Sequence, residues 1–85
     1  MRIIKTEDFA KAYSNLQSST KRLYIVQEKR FAFNPRDPRL HIKKLKDFNG
    51  AFSFRITRHY RVLFYFQNPM TAIFFDIDHR KDIYR

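Results

Sequence analysis

Between Ala51 and Ile77 the chain alternates apolar and polar residues in three successive runs, and this pattern constrains the fold more than anything upstream of it. In the first run Phe52, Phe54 and Ile56 point one way, while Ser53, Arg55 and Thr57 point the other. The second sets Tyr60, Val62, Phe64 and Phe66 against Arg61, Leu63 and Tyr65. The third, Ala72 to Ile77, sets Ile73, Phe75 and Ile77 against Ala72, Phe74, Asp76 and Asp78, a parity that Arg80 would keep if the strand continued. Three adjacent strands are predicted, with one aromatic face for a core and one arginine-bearing face left over for another purpose.

The upstream segments read as support for that sheet. Ile3 and Ile4 suit a short strand that joins it. Thr6 is a plausible N-cap, with Glu7 and Asp8 at the positive end of a helix that carries Phe9, Tyr13 and Leu16. Ser18, Ser19 and Thr20 are expected to end that helix and cap a second, antiparallel one. On the second helix Leu23, Val26 and Arg30 share one side, with Tyr24, Phe31 and the charged residues distributed around it. Asn34-Pro35-Arg36-Asp37-Pro38 ends it, because each proline removes a donor and pushes its predecessor out of helical geometry. His41 to Lys46 reads as an edge strand, and Asn49-Gly50, with the sole glycine, reads as the turn into Ala51. Thr57-Arg58-His59 and Gln67-Asn68-Pro69-Met70 are the remaining turns. The order β-α-α-β-β-β-β is that of one α+β domain over residues 1–85, with two helices on one face of a mostly antiparallel, twisted sheet.

Composition limits the function classes. The 85 residues bury roughly 60–65% of their surface on folding, and ten Phe and five Tyr supply the bulk for a core. There is no cysteine, which excludes disulfides, thiolate metal sites and a cysteine nucleophile. No stretch approaches the length of a membrane span and no signal-peptide run is evident, so a soluble cytoplasmic protein with no membrane partner is expected. Eighteen Lys and Arg against eight Asp and Glu leave a net charge of +10, which favours polyanions such as nucleic acid or the ribosome, or else an acidic protein.

Several short motifs, in order, carry a resemblance. They are Ile3-Ile4-Lys5-Thr6 before the first helix, Asn34-Pro35 and Pro38 with Leu40-His41, Lys43-Lys44-Leu45-Lys46, Phe54-Arg55-Ile56, Tyr60-Arg61-Val62-Leu63-Phe64, and the terminal His79-Arg80-Lys81-Asp82-Ile83-Tyr84. Over nearly its whole length the chain resembles toxins of the RelE/ParE superfamily from bacterial toxin–antitoxin pairs. The resemblance implies an endoribonuclease that enters the ribosomal A site and cuts messenger RNA without metal or cofactor. The RNA 2′-hydroxyl attacks the neighbouring phosphate, leaving a 2′,3′-cyclic phosphate and a 5′-hydroxyl. It also implies that Arg55, Arg61, Arg80 and Tyr84 line the site, and that a cognate acidic antitoxin restrains the toxin. Ser53 stands where some members place a lysine, and Lys43 where others carry a glutamate base. Two other readings share the fold: a non-enzymatic toxin that poisons DNA gyrase, and a basic RNA-binding module without activity.

The residue types fit the chemistry independently. Arginine bonds two phosphate oxygens at once and stays charged when partly dehydrated, which suits Arg55, Arg61 and Arg80 to a phosphate gaining charge. The alternative for each is a solvated arginine, or an ion pair with Asp76 or Asp78. For proton transfer the candidates are His79, His41, Lys43, Lys44 and Tyr84. His79 has a suitable unperturbed pKa, yet its odd parity turns it toward the core side, where a structural role competes with a catalytic one. Tyr84 needs neighbouring cations to favour its phenolate, and it can also stack on a base or serve as a hydrophobic anchor. His41, Lys43, Lys44 and Lys46 form a basic strip suited to RNA backbone, or a solvated face. Asp76, Asp78 and His79 are too sparse to indicate a metal site.

Overall fold

The structure, a computed structural model, describes residues 1–79. The alternating segments form β3 (Ala51–Arg55), β4 (Tyr60–Asn68) and β5 (Thr71–His79), antiparallel neighbours in one sheet. A two-residue β2 (Lys43–Lys44) extends the β3 edge, and β1 (Arg2–Lys5) pairs in parallel with β5. The strand order is β1-β5-β4-β3-β2. Parallel pairing of β1 with β5 needs a long crossover, to which α1 (Glu7–Ser14) and α2 (Ser18–Phe33) contribute. Both helices pack on one face, giving the expected α+β arrangement.

The aromatic side of the strands makes that packing favourable. Phe31 of α2 is fully buried, with its ring 5.4 Å from Phe54, 5.0 Å from Phe64 and 5.2 Å from Phe74. Phe9 of α1 meets Phe74 at 5.7 Å. Each buried ring contributes about 1.5–3 kcal/mol of transfer free energy, and each well-placed ring pair about 0.5–1.5 kcal/mol more. Thr6 fixes where α1 starts: its hydroxyl accepts from Phe9 N at 3.1 Å and donates to Phe75 O at 3.2 Å, tying the helix to β5.

Four expectations need correction. The second helix is capped by Gln17, whose side chain makes no cap hydrogen bond, and Ser18 is already helical. Its buried stripe is Thr20, Tyr24, Gln27 and Phe31, whereas Leu23 and Val26 are 50% and 44% exposed. Two large rings on one stripe remove more apolar area from water than two aliphatic side chains on another, so the aromatic side turns inward. The edge strand contracts from the expected His41–Lys46 to Lys43–Lys44, because His41 adopts a left-handed conformation.

The fourth correction concerns parity in β5. Its register with β4 shifts between Leu63, opposite Asp76, and Phe64, opposite Phe74, so Phe75 is left unopposed as a bulge. Ala72 and Phe74 therefore belong to the helix-facing side, and after the bulge Ile77 does. Asp76 and Asp78 turn to the opposite face, beside Leu63 and Arg61.

Candidate functional site

The face turned away from the helices carries Arg55, Arg61, Asp76 and Asp78. Cross-strand pairing places Lys43, Ser53, Leu63 and Asp76 in one row, and Arg55, Arg61 and Asp78 in the next. Directly opposed residues on antiparallel strands have Cα atoms about 4.5–5.5 Å apart, so the Arg55 and Arg61 side chains leave the sheet as near neighbours. Like charges in that relation oppose folding, and Asp78 on the other flank of Arg61 offsets the repulsion.

Over this face the segment between β2 and β3 encloses a cleft of about 410 Å³, bounded by Lys43, Lys46, Phe48, Ser53, Leu63 and Asp78. The chain is brought back by a turn in which Ala51 N donates to Phe48 O at 3.1 Å. Gly50 makes that turn possible: its φ is +82°, a value glycine adopts without strain. A larger groove of about 610 Å³ lies elsewhere, between Met1, Pro35, Ile42, Phe52, Phe66 and Pro69. Its lining is mostly apolar, with Arg36 as its one cationic side chain among the described residues.

Arg61 pairs across the sheet with Asp78 of the cleft wall and is only 5% exposed. Its Nη1 is 3.5 Å from Ser53 Oγ and 3.4 Å from His41 O, both long for a hydrogen bond. His41 thus contributes its backbone carbonyl here, while its residue as a whole is exposed. At φ 50° and ψ 54° it ends the short 3-10 turn Pro38–Leu40. The start of that turn is held by Asp37, which accepts from Arg39 N at 2.9 Å and forms an ion pair with the Arg39 guanidinium at 2.7 Å. The Arg39 hydrogen bonds hold the Asp37 carboxyl down to about 2.

Arg55 is half-buried, and its Nε is enclosed with no hydrogen-bond partner among the described residues. Its backbone is fixed from beneath by Gln27, a residue that sequence reasoning passed over. Gln27 Nε2 donates to Arg55 O at 2.7 Å and to Arg39 O at 3.0 Å, and its Oε1 accepts from Arg30 Nη1 at 2.9 Å. One buried amide therefore joins α2, the Pro38–Leu40 turn and the end of β3.

The other expected site residues divide clearly. Lys43 lies opposite Ser53, on the arginine face, and Lys44 lies opposite Phe52 yet still borders the cleft; both, with Lys46, are exposed. His79 is not brought to Arg55 and Arg61: it pairs with Tyr60 on the helix-facing side, its ring stacked at 4.4 Å and 9°. Arg80 and Tyr84 lie outside the described residues. Asp78, which sequence reasoning treated as a possible ion-pair partner, is a carboxylate at the cleft wall. Two guanidinium groups side by side, with ammonium groups at the rim, can hold an anion that has several oxygens.

No family model matches the sequence, and no curated protein matches it significantly. Solved structures do match. A YoeB/ParE toxin from Agrobacterium tumefaciens superposes with a TM-score of 0.77 at 15% identity, over 93% of this chain and 98% of that one. A chain of the RelB–RelE antitoxin–toxin complex from Methanococcus jannaschii gives 0.75 at 23% identity, over 95% and 94%. The YoeB dimer from Staphylococcus aureus gives 0.74 at 14% identity, over 93% and 95%. The chain has the fold of the RelE, YoeB and ParE toxin structures, across nearly its whole length.

Proposed function

We propose that this chain is the toxin of a toxin–antitoxin pair and acts as a ribosome-dependent, metal-independent messenger-RNA endonuclease. The observation that carries the reading is the direct opposition of Arg55 and Arg61 across β3 and β4, beside a cleft rimmed by Lys43 and Lys46. Paired guanidinium groups complement a phosphate that gains negative charge as the 2′-oxygen adds to phosphorus. In that step the 2′-hydroxyl loses its proton, the P–O5′ bond breaks, and the departing oxygen takes a proton, leaving a cyclic phosphate and a 5′-hydroxyl. Arg55 and Arg61 bind and stabilise the phosphate, with Arg80 and Tyr84 assigned to the same site by the sequence resemblance. His79 is assigned a supporting place at the end of β5. Lys43, Lys44, Lys46 and the His41 region hold RNA backbone, contacts that position without reading sequence.

The partner is an acidic antitoxin. Several matching structures are antitoxin–toxin complexes, with RelB or YefM named as the antitoxin. Here α2 turns Leu23, Val26 and Phe33 outward, between exposed Arg22 and Lys29, on a chain of net charge +10. An acidic amphipathic segment complements that surface in both apolar contact and charge.

Induction of the wild-type chain in a bacterial host should arrest growth and yield new messenger 5′ ends by primer extension. R55A and R61A should relieve the arrest while remaining folded. Inhibition of gyrase supercoiling without messenger cleavage would replace this reading with the gyrase-poisoning one.

A further inference from the structure

The exposed ring of Phe48 stands at the cleft without a role in the core. It is 57% exposed, although removing a phenylalanine ring from water is favourable. It bounds the same space as Lys43, Lys46, Ser53 and Asp78, next to the row that holds Arg55 and Arg61. Its backbone is fixed: Phe48 O accepts from Ala51 N at 3.1 Å, and Leu45 N donates to Ala51 O at 3.0 Å, closing the loop at two points. Gly50, at φ +82°, occupies the third place of this turn, and a Cβ there would meet nothing within 4 Å. The glycine therefore serves backbone geometry and not clearance, and that geometry sets where Phe48 projects.

An exposed aromatic ring held on a tight turn, in a cleft where Lys43, Lys44 and Lys46 outnumber Asp47 and Asp78, has the composition of a platform for single-stranded nucleic acid. The cations track phosphates, and the ring accepts a base of any identity, because every base has a π-face. We infer that Phe48 is a base-stacking residue: one nucleobase of a single-stranded RNA rests on its ring while the neighbouring phosphates lie along Lys43 and Lys46. This rests on the RNA-binding reading of the cleft and adds to it a subsite that the arginines do not explain. The ring contributes binding and orientation, holding a nucleotide against the sheet before any bond is broken. Because stacking tolerates every base, the subsite favours unpaired RNA without selecting sequence.

The test uses the full chain with a short 2′-O-methyl oligonucleotide, which has no free 2′-hydroxyl to attack, and an abasic strand with the same number of phosphates. Fluorescence anisotropy at low salt reads both affinities for wild type, F48L and F48Y. Wild type should bind the base-bearing strand about 5- to 160-fold more tightly than the abasic one, the equivalent of about 1–3 kcal/mol per stacked base. F48L should lose most of that preference with its abasic affinity unchanged, which also reports that the variant is folded, and F48Y should retain it. An F48L variant that prefers the base-bearing strand as strongly as wild type overturns this inference alone. A wild-type chain that binds neither strand overturns both this inference and the RNA reading beneath it.

Discussion

Replacing Gln27 by leucine removes the amide while keeping the side-chain volume close, so the effect isolates hydrogen bonding from cavity formation. Three bonds disappear: those to Arg55 O at 2.7 Å and Arg39 O at 3.0 Å, and that from Arg30 at 2.9 Å. Arg30 is half-buried and its guanidinium can turn toward water, so its loss counts for little. The two carbonyls face a residue that is 6% exposed, and leucine offers them no donor. At about 1–1.5 kcal/mol each, their loss amounts to about 2–3 kcal/mol. A domain of this length has a total stability of roughly 4–13 kcal/mol, so the change is large. It corresponds to roughly 10–20 °C in melting temperature. Urea unfolding followed by circular dichroism should show a lower midpoint with an unchanged slope. Ser19→Ala, on the exposed side of the same helix, should stay within about 0.5 kcal/mol. A Gln27→Leu change no larger than that of Ser19→Ala would refute the assignment of Gln27 as the joint between helix, turn and strand.

Two further outcomes follow from the structure. Thr6→Ala should cost about 1 kcal/mol in urea unfolding, since it removes the α1 cap, with a further loss from the bond to Phe75 O; a neutral effect would mean that the cap is not formed in solution. Burial, followed by the hydrogen bond that Tyr24 donates to Glu28, raises the Tyr24 phenol above its ordinary value of 10. Because the folded value is the higher one, this contribution is intact below pH about 10 and declines as pH rises past it, when the unfolded chain ionises first. Stability should therefore fall more steeply above pH 10 in wild type than in Y24F. Parallel profiles would contradict it.

Much of the sheet was legible because alternation and turn residues act locally. The adjacency of β3, β4 and β5, the Arg55–Arg61 face and the inward parity of His79 follow from counting along those strands, whereas the place of β1 beside β5 does not; Pro35, Pro38 and Gly50 punctuate at the places their backbones require. The buried side of α2 was harder to read. Leu23, Ile25 and Val26 make several sides of that helix apolar, and only the partners across the core decide that Tyr24 and Phe31 turn in. The bulge at Phe75 is a relation between two strands and leaves no mark within either one. Gln27 was invisible for a similar reason, since the carbonyls it joins lie 12 and 28 residues away along the chain. At the candidate site, counting brought the two arginines together, but the contact of Arg61 with the His41 carbonyl depends on the Pro38–Leu40 turn that His41 ends.

The central claim is that the opposed arginines stabilise a phosphate under attack by its own 2′-oxygen. The most direct measurement is single-turnover cleavage of messenger RNA on purified, programmed ribosomes, with the 3′ ends of the products identified by mass spectrometry. Wild type should leave 2′,3′-cyclic phosphate ends, and R61A should cut slower by about 10²–10³-fold, the loss typical of removing one donor to a developing oxyanion. Cleavage by R61A at the wild-type rate, or products that end in a free 3′-hydroxyl, would contradict the claim.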